Sequence, residues 1–361
     1  MYDAIVVGAR CGGSATALLL ARRGRSVLLV DRATFPSDTF STHFVDASGA
    51  ALLDRWGAVP RLERLGVPFF GSVELNVAGN RMQTSELFGS RLVCSPRRTD
   101  LDSVLCEMAA EAGAEVRMQT SVAEVVRDNY GRVTGVRLRS EDGTTKDESA
   151  AVVVGADGRT SVVARTVQPV SRDEHTIRGN GFYAYFDDFE YATPSAGFFD
   201  NSFVFAFPTA ARSACIGTEI DAANDVRSDP EAVFFDRLGA DDDLCQRVKA
   251  ATRESRWHVG ELPAGWLRHA GGAGWALVGD AACTKDPLLG HGITDAFIGA
   301  ELLAVAIDRG LSEGDLDAAL ARYDDALFEH LGPIYEASRE PRRISTSPVT
   351  NSSPPSHPRR C

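Results

Sequence analysis

The sequence predicts an α/β protein: a doubly wound, mostly parallel sheet into which a second, antiparallel sheet rich in aromatic residues is inserted. Three observations predict it. The chain opens with an apolar run, a glycine-rich turn, a small-residue helix and a second apolar run that ends at Asp31. Acid–glycine junctions close two later apolar runs, at Asp157-Gly158 and at Gly279-Asp280. Phenylalanine is concentrated between residues 182 and 207.

Taken in order, residues 3–7 (DAIVV) form a strand, 8–14 a turn, 14–23 a helix and 26–30 a second strand, a βαβ unit with both strands buried. Residues 101–113 have helical spacing, and strands follow at 115–118, 122–128, 133–139 and 144–154, with turns at Asn129-Tyr130-Gly131 and Glu141-Asp142-Gly143. This meander returns to the first sheet at VVVGADG (152–158). Between about 172 and 270 the composition changes: Tyr183, Tyr185 and Tyr191 join the phenylalanines, and Phe203, Phe205 and Phe207 alternate as on one face of a strand. Residues 275–279 form another strand, 287–292 a Pro/Gly loop, and helices are expected at about 292–308 and 313–330. The Ser/Pro-rich stretch 341–361 has no apolar period and is expected to be disordered. The domain layout is thus 1–75 for the nucleotide-binding βαβ part, 76–98 for an excursion into the second domain, 99–171 for the first domain continued, 172–270 for the antiparallel substrate domain, 271–335 for the first domain again, and 336–361 for a tail.

The net charge of −12 repels phosphate backbones and anionic lipid, so the partner is expected to be a small molecule and not nucleic acid. Seven scattered cysteines with no CxxC pair argue against a disulfide framework or a zinc site and for a reducing, cytoplasmic setting. No apolar run reaches the roughly 18 residues of a membrane span, and the N-terminus has no basic leader region.

Chemistry concentrates at the strand ends. Gly8 and Gly13 bracket the first turn, which lets backbone amides and a helix N-terminus meet a pyrophosphate, while Asp31 at the next strand's end can accept ribose hydroxyls. Arg10 replaces the middle glycine of GxGxxG, so it either adds charge near a phosphate or keeps the backbone farther from it. Asp157 and Asp280 sit where strands leave the sheet, the place where open α/β sheets bind ligands.

These segments together resemble the FAD-dependent oxidoreductases similar to para-hydroxybenzoate hydroxylase, a family of aromatic hydroxylases, epoxidases, geranylgeranyl reductases and flavin-dependent halogenases. The resemblance covers about residues 3–330 and rests on VVGARCGGSATALLLARRG (6–24) with VLLVDR (27–32), RRTDLDSVL (97–105), GADGRTSVVAR (155–165) and WALVGDAACTKDPLLGHGITDAF (275–297). It implies a Rossmann-type, glutathione-reductase-like (GR2-like) FAD-binding domain with an inserted antiparallel β-sheet substrate domain and C-terminal helices. It also implies that Gly8, Arg10, Gly13, Asp31 and Arg32 surround the ADP half of FAD. Arg98 would meet the flavin-phosphate region, and Asp157, Gly279 and Asp280 the ribityl and diphosphate groups. Pro287, Gly290 and Gly292 would line the isoalloxazine, where the following helix offers its amides to the flavin C2 carbonyl. His291 and His43 are the candidate catalytic residues, with plainer alternatives: a ring contact for His291, and for His43 a cap on the helix beginning near Val45. Phe182, Tyr185, Phe203, Phe205 and Phe207 are candidate substrate-pocket residues, or else the inner face of a sheet. Cys11 and Cys283 are taken as small packing residues.

The expected activity is an NAD(P)H-driven monooxygenase that hydroxylates or epoxidises a bulky apolar or aromatic molecule with O2 through a flavin C4a-hydroperoxide, in bacterial secondary metabolism. The hydride would come from transiently bound NAD(P)H, since no second dinucleotide turn is present. The alternative is a geranylgeranyl reductase-like enzyme that saturates double bonds. Its motif PxxYxWxFP is echoed in DNSFVFAFP (200–208), with Phe203 and Phe205 in the Tyr and Trp positions and Asp200 in place of Pro. A halogenase is disfavoured, because the only lysines are Lys146, Lys249 and Lys285 and no WxWxIP segment occurs. A flavin-fold protein that binds a metabolite without turnover is the remaining alternative.

Overall fold

The computed structural model describes residues 1–77, 79–84, 92–177, 179–199, 202–220, 228–262 and 264–339. The tail expected to be disordered and Asp200 of the motif echo lie outside the described residues.

The strand Tyr2–Val7 pairs in parallel with Thr145–Gly155 on one side and Val27–Val30 on the other. Trp275–Leu277 and Glu115–Arg117 extend this parallel core outwards. Ile5, Val6, Leu28, Leu29, Val152 and Val153 are buried on both faces of the sheet, which is why these strands read as continuous apolar runs without alternation. The helices Cys11–Arg22, Arg98–Glu111 and Gly292–Glu313 pack together over it. Thr145–Gly155 belongs to two structures at once: residues 145–149 pair antiparallel with Val133–Ser140 in the meander, and residues 150–155 enter the parallel core.

The second sheet is ordered Thr252–Arg253, Asn180–Asp187, Ser213–Ile220, Ser202–Ala210, Ser195–Phe199, Val73–Val77, Asn80–Thr84. Its neighbours are antiparallel except where Ser195–Phe199 meets Val73–Val77. Strand alternation divides its aromatic residues between two faces. Phe182, Phe186 and Val204 pack with Phe234, Leu238 and Val248 of the helices Pro230–Leu238 and Asp242–Ala250. Tyr183, Tyr185, Phe203, Phe205 and Phe207 face the first domain and pack with Phe44, Ala47 and Leu288.

Three helices extend beyond their expected bounds, among them Gly292–Glu313, expected to end near 308. The one predicted from residue 101 begins at Arg98, because Arg98 and Asp102 form an i,i+4 ion pair across its first turn. The last helix continues through Pro333 to Arg339.

Candidate active site

The parallel strands end together. Val7 is level with Val30 and Gly155, and Gly155 with Leu277, so the turns after each strand converge at one sheet edge. The first turn is tight: Gly8 has φ +100°, a Cβ there would lie 2.5 Å from the Ala156 carbonyl oxygen, and one on Gly13 would lie 1.7 Å from the Gly8 carbonyl oxygen. Only glycine fits at either position, which brings the helix Cys11–Arg22 against the strand end with no side-chain cap on its N-terminus. Asp31 is held by the same turn, accepting from Ala9 N at 2.7 Å and from Ala33 N at 2.8 Å. Arg32 is exposed.

Arg10 turns away from the place of the missing glycine. Its guanidinium lies 2.8 Å from the buried carboxylate of Asp102 and donates to the carbonyls of Ser37 and Asp38. Asp102 also receives Arg98 and the Cys11 thiol. Burial disfavours the Arg98 cation, but Asp102 outweighs it and holds Arg98 above its ordinary value. Arg10 therefore ties this turn to the 37–38 strap while sharing Asp102 with Arg98, which leaves two guanidinium cations on one carboxylate.

Asp157 accepts from Val162 N at 2.6 Å through Oδ2, while its Oδ1 is buried without a hydrogen-bond partner. Asp280 is open to solvent yet ringed by protein, and that crowding raises its carboxyl above the ordinary value against the pull of Arg159, Lys285 and Arg98. Gly158 and Gly292 face open space, and the Gly292–Glu313 helix has no side-chain cap either. An orphaned carboxylate oxygen, two uncapped helix N-termini and turns that admit only glycine fit an FAD laid along these strand ends. Its flavin end would lie by the Pro287–Gly292 loop, where Gly290 has φ +68° and packs against Phe44.

On the far side of that loop stands the aromatic wall. Phe44 and Phe207 have ring centroids 5.0 Å apart, as do Phe205 and Phe207. Phe182 does not join them: it lies on the opposite face against Phe234 and Trp257. At one end of the wall the groups become polar. Tyr185 Oη is 2.8 Å from His43 Nε2 and 3.3 Å from Asp38 Oδ2, and the Arg97 guanidinium sits 3.8 Å above the Tyr185 ring. His43 is fully buried at φ +66°, in the left-handed region that few side chains other than Asn, Asp and His adopt. Its Nδ1 makes no hydrogen bond of normal geometry. Burial, then Arg98 and Arg97, push the imidazole well below its ordinary value and keep it neutral. Burial pushes the Tyr185 phenol far up, so it stays protonated.

His43 does not cap the helix after it. Asp46 does, through Ser48 N and Gly49 N, and its other oxygen lies 2.8 Å from His291 Nδ1. Asp38, Asp46 and Asp102 are the residues that motif reasoning missed. Only Asp46 carried a local signal, a carboxylate just before a helical pattern. The described cysteines are all free and buried.

A family model described as "FAD binding domain" matches residues 1–326. Among curated proteins, the chain is 28% identical over 369 residues to a menaquinone reductase of Mycolicibacterium smegmatis, covering 96% of this chain and 85% of the relative. It is 26% identical over 360 residues to digeranylgeranylglycerophospholipid reductase 2 of Methanopyrus kandleri, covering 95% and 86%. Among solved structures, the myxobacterial chondrochloren halogenase CndH superposes with a TM-score of 0.83 at 22% identity, covering 93% of this chain and 81% of that one. The probable FAD-dependent monooxygenase pqsL of Pseudomonas aeruginosa superposes with a TM-score of 0.74 at 22% identity, covering 93% of each. At such identity these two show the fold alone.

Proposed function

The chain belongs to the FAD-binding-domain family and is an FAD-dependent oxidoreductase; from that premise we propose that it saturates carbon–carbon double bonds in a long apolar, isoprenoid-type substrate. This puts the double-bond reductase ahead of the monooxygenase favoured on sequence. The menaquinone reductase and the digeranylgeranylglycerophospholipid reductase, matched over nearly the whole chain, support this order, whereas the likeness to a halogenase and a monooxygenase is one of fold.

The observation that carries the proposal is the Asp38–Tyr185–His43 chain at the edge of the aromatic wall. Saturating a double bond takes a hydride and a proton. Bound FAD, once reduced, supplies the hydride, with NAD(P)H as the proposed reductant. The protein must supply the proton inside a pocket that excludes water, and here an exposed carboxylate leads through a phenol to a neutral, buried imidazole. Such an imidazole can take a proton on one nitrogen and release it from the other. Phe203, Phe205, Phe207, Phe44 and Leu288 would hold the apolar chain against the cofactor loop. Asp157, Asp280, Asp31 and the amides of the two uncapped helices would hold the cofactor.

Oxygen insertion is the second proposal, favoured by the same water-poor wall, which would protect an oxygen adduct from decay. Halogenation has no support from the lysines: Lys285 is buried in an ion pair with Asp295, and Lys146 pairs with Glu148.

The test is to incubate the reduced, FAD-loaded protein without oxygen with polyprenyl quinones and polyprenyl glycerolipids and to weigh the products. Products that stay heavier by two hydrogens after any quinol has been reoxidised to the quinone, formed at one equivalent of reductant, are expected. Turnover that needs oxygen, with products heavier by one oxygen atom, would establish the second proposal instead.

A further inference from the structure

The Asp46 carboxylate has two tasks. Through Oδ1 it caps the helix Ala47–Trp56, accepting from Ser48 N at 2.9 Å and Gly49 N at 3.0 Å. Through Oδ2 it meets Nδ1 of His291, the residue immediately before the uncapped N-terminus of Gly292–Glu313. Asp46 is buried and the His291 side chain is 32% exposed, so one end of the pair is fixed in the protein and the other opens towards the turn.

Other charged groups face the ring from the neighbouring elements. Asp295 lies in the first turn of the same helix and Lys285 in the segment before the loop. Asp295 is already engaged, by the buried Lys285 ammonium and by His330 Nε2 at 3.3 Å. Asp286 accepts from Leu288 N in the loop itself. Asp46 is thus the carboxylate in direct contact with the imidazole. It holds the proton on Nδ1 and leaves Nε2 as the nitrogen that titrates.

We propose that the Asp46–His291 pair couples proton uptake to reduction of an FAD bound at the Gly290–Gly292 turn: neutral His291 gains a proton at Nε2 when negative charge arrives on the cofactor beside it. The balance is two electrons from an added reductant such as dithionite and two protons from solvent. One proton goes with the electrons to the cofactor, which then carries one more negative charge, and the other goes to Nε2. Asp46 acts through His291 and is a positioning residue. Its hydrogen bond raises the proton affinity of the imidazole above the ordinary value. The second proton is therefore taken up on the alkaline side of the usual imidazole range, because below it the ring is already charged.

This inference rests on FAD binding at that turn and is independent of the substrate. The experiment measures the reduction midpoint of the FAD-loaded protein as a function of pH. In the parent, the slope is expected to double over an alkaline window, from one proton to two per electron pair. Asp46→Asn keeps the helix cap, since asparagine caps as well as aspartate, and is expected to move that window to lower pH. His291→Gln is expected to abolish it. In the cofactor-free protein, the NMR titration midpoint of His291 should fall in Asp46→Asn. Lines of equal slope and position in all three loaded proteins, or a His291 titration unmoved by Asp46→Asn, would overturn the coupling while leaving FAD binding intact. A protein that takes up no FAD would overturn the cofactor placement and the coupling together.

Discussion

The two faces of the aromatic sheet are built from the same strands, one residue out of phase, and they do different work. On one face Phe182 and Phe186 meet Phe234 and Trp257. On the other, Tyr183 and Tyr185 alternate with them, and their hydroxyls reach Thr39, Ser41, Asp38 and His43 in the strap that follows the second parallel strand. The first face has what a core needs, and its rings could be exchanged for others of similar volume. The second joins two tyrosine hydroxyls to a buried, left-handed histidine and an exposed carboxylate, whereas on the first the buried Trp257 Nε1 and Thr218 Oγ1 make no hydrogen bond. Burial therefore does not separate core from site here. What separates them is whether the buried polar groups are linked to one another: Asp38, Tyr185 and His43 form a chain, and Trp257 Nε1 and Thr218 Oγ1 make no hydrogen bond.

The largest expected effect tests the helix-backed face. Phe234→Ala should lower stability by about 3–5 kcal/mol, because the ring is fully buried among four aromatic neighbours, and it should leave FAD affinity unchanged. Phe205→Leu on the opposite face nearly conserves volume, so it should cost less than about 1.5 kcal/mol while raising KM for the apolar substrate. Urea unfolding and steady-state kinetics on both variants check this. If Phe234→Ala disturbed KM more than Phe205→Leu did, the division between the faces would be wrong.

A smaller effect comes from exchanging polarity between the faces. Val204→Thr places a hydroxyl among apolar side chains on the core face, and Tyr185→Phe removes one that His43 and Asp38 both use. Each should cost about 1–3 kcal/mol, the first by burying a lone hydroxyl and the second by stranding His43 Nε2. Only Tyr185→Phe should slow turnover. Equal turnover in the two variants would remove Tyr185 from the proton path.

What could be read in advance follows the range of the interactions. The Gly8–Gly13 turn and Asp31 are legible because all three lie within one βαβ unit, where spacing along the chain is spacing in space. Alternation at Phe203, Phe205 and Phe207 is legible for the same reason, and it places them on one face. Which face meets the first domain is not legible: Phe182 and Tyr185 look alike as members of an aromatic cluster, and only the packing of the helices 230–250 tells them apart. The pairs that set the chemistry are harder still. Arg10 meets Asp102 ninety-two positions away, and His43 meets Tyr185 at a separation of 142, so no local period announces either. His291 stands out in the Pro/Gly loop, and its partner Asp46 does not.

The smallest effect at neutral pH separates the faces by titration. His43 is held neutral by burial and by Arg98 and Arg97, so its folded-state value lies below the unfolded one of about 6.5. Below that pH the unfolded chain binds a proton that the folded protein refuses, and stability falls as pH falls, by up to roughly 1.4 kcal/mol per pH unit for this one group. His258 is shifted in the same direction by its own burial and adds to the slope. His291 has the opposite sign: its raised value contributes stability that is complete below the unfolded value and is lost as pH rises through the folded one. Its contribution levels off only well below the unfolded value, but it is common to the parent and the His43 variant and cancels in their comparison. Asparagine tolerates the left-handed backbone at this position, so His43→Asn removes the titration without adding backbone strain. Urea midpoints measured across the range from about pH 7 to about pH 5 should fall less steeply in His43→Asn than in the parent, while Val204→Thr should keep the parent slope because it changes no ionisable group. Parallel lines for His43→Asn and the parent would mean that the buried imidazole takes up its proton in the folded state, and a neutral relay at that position would then be untenable.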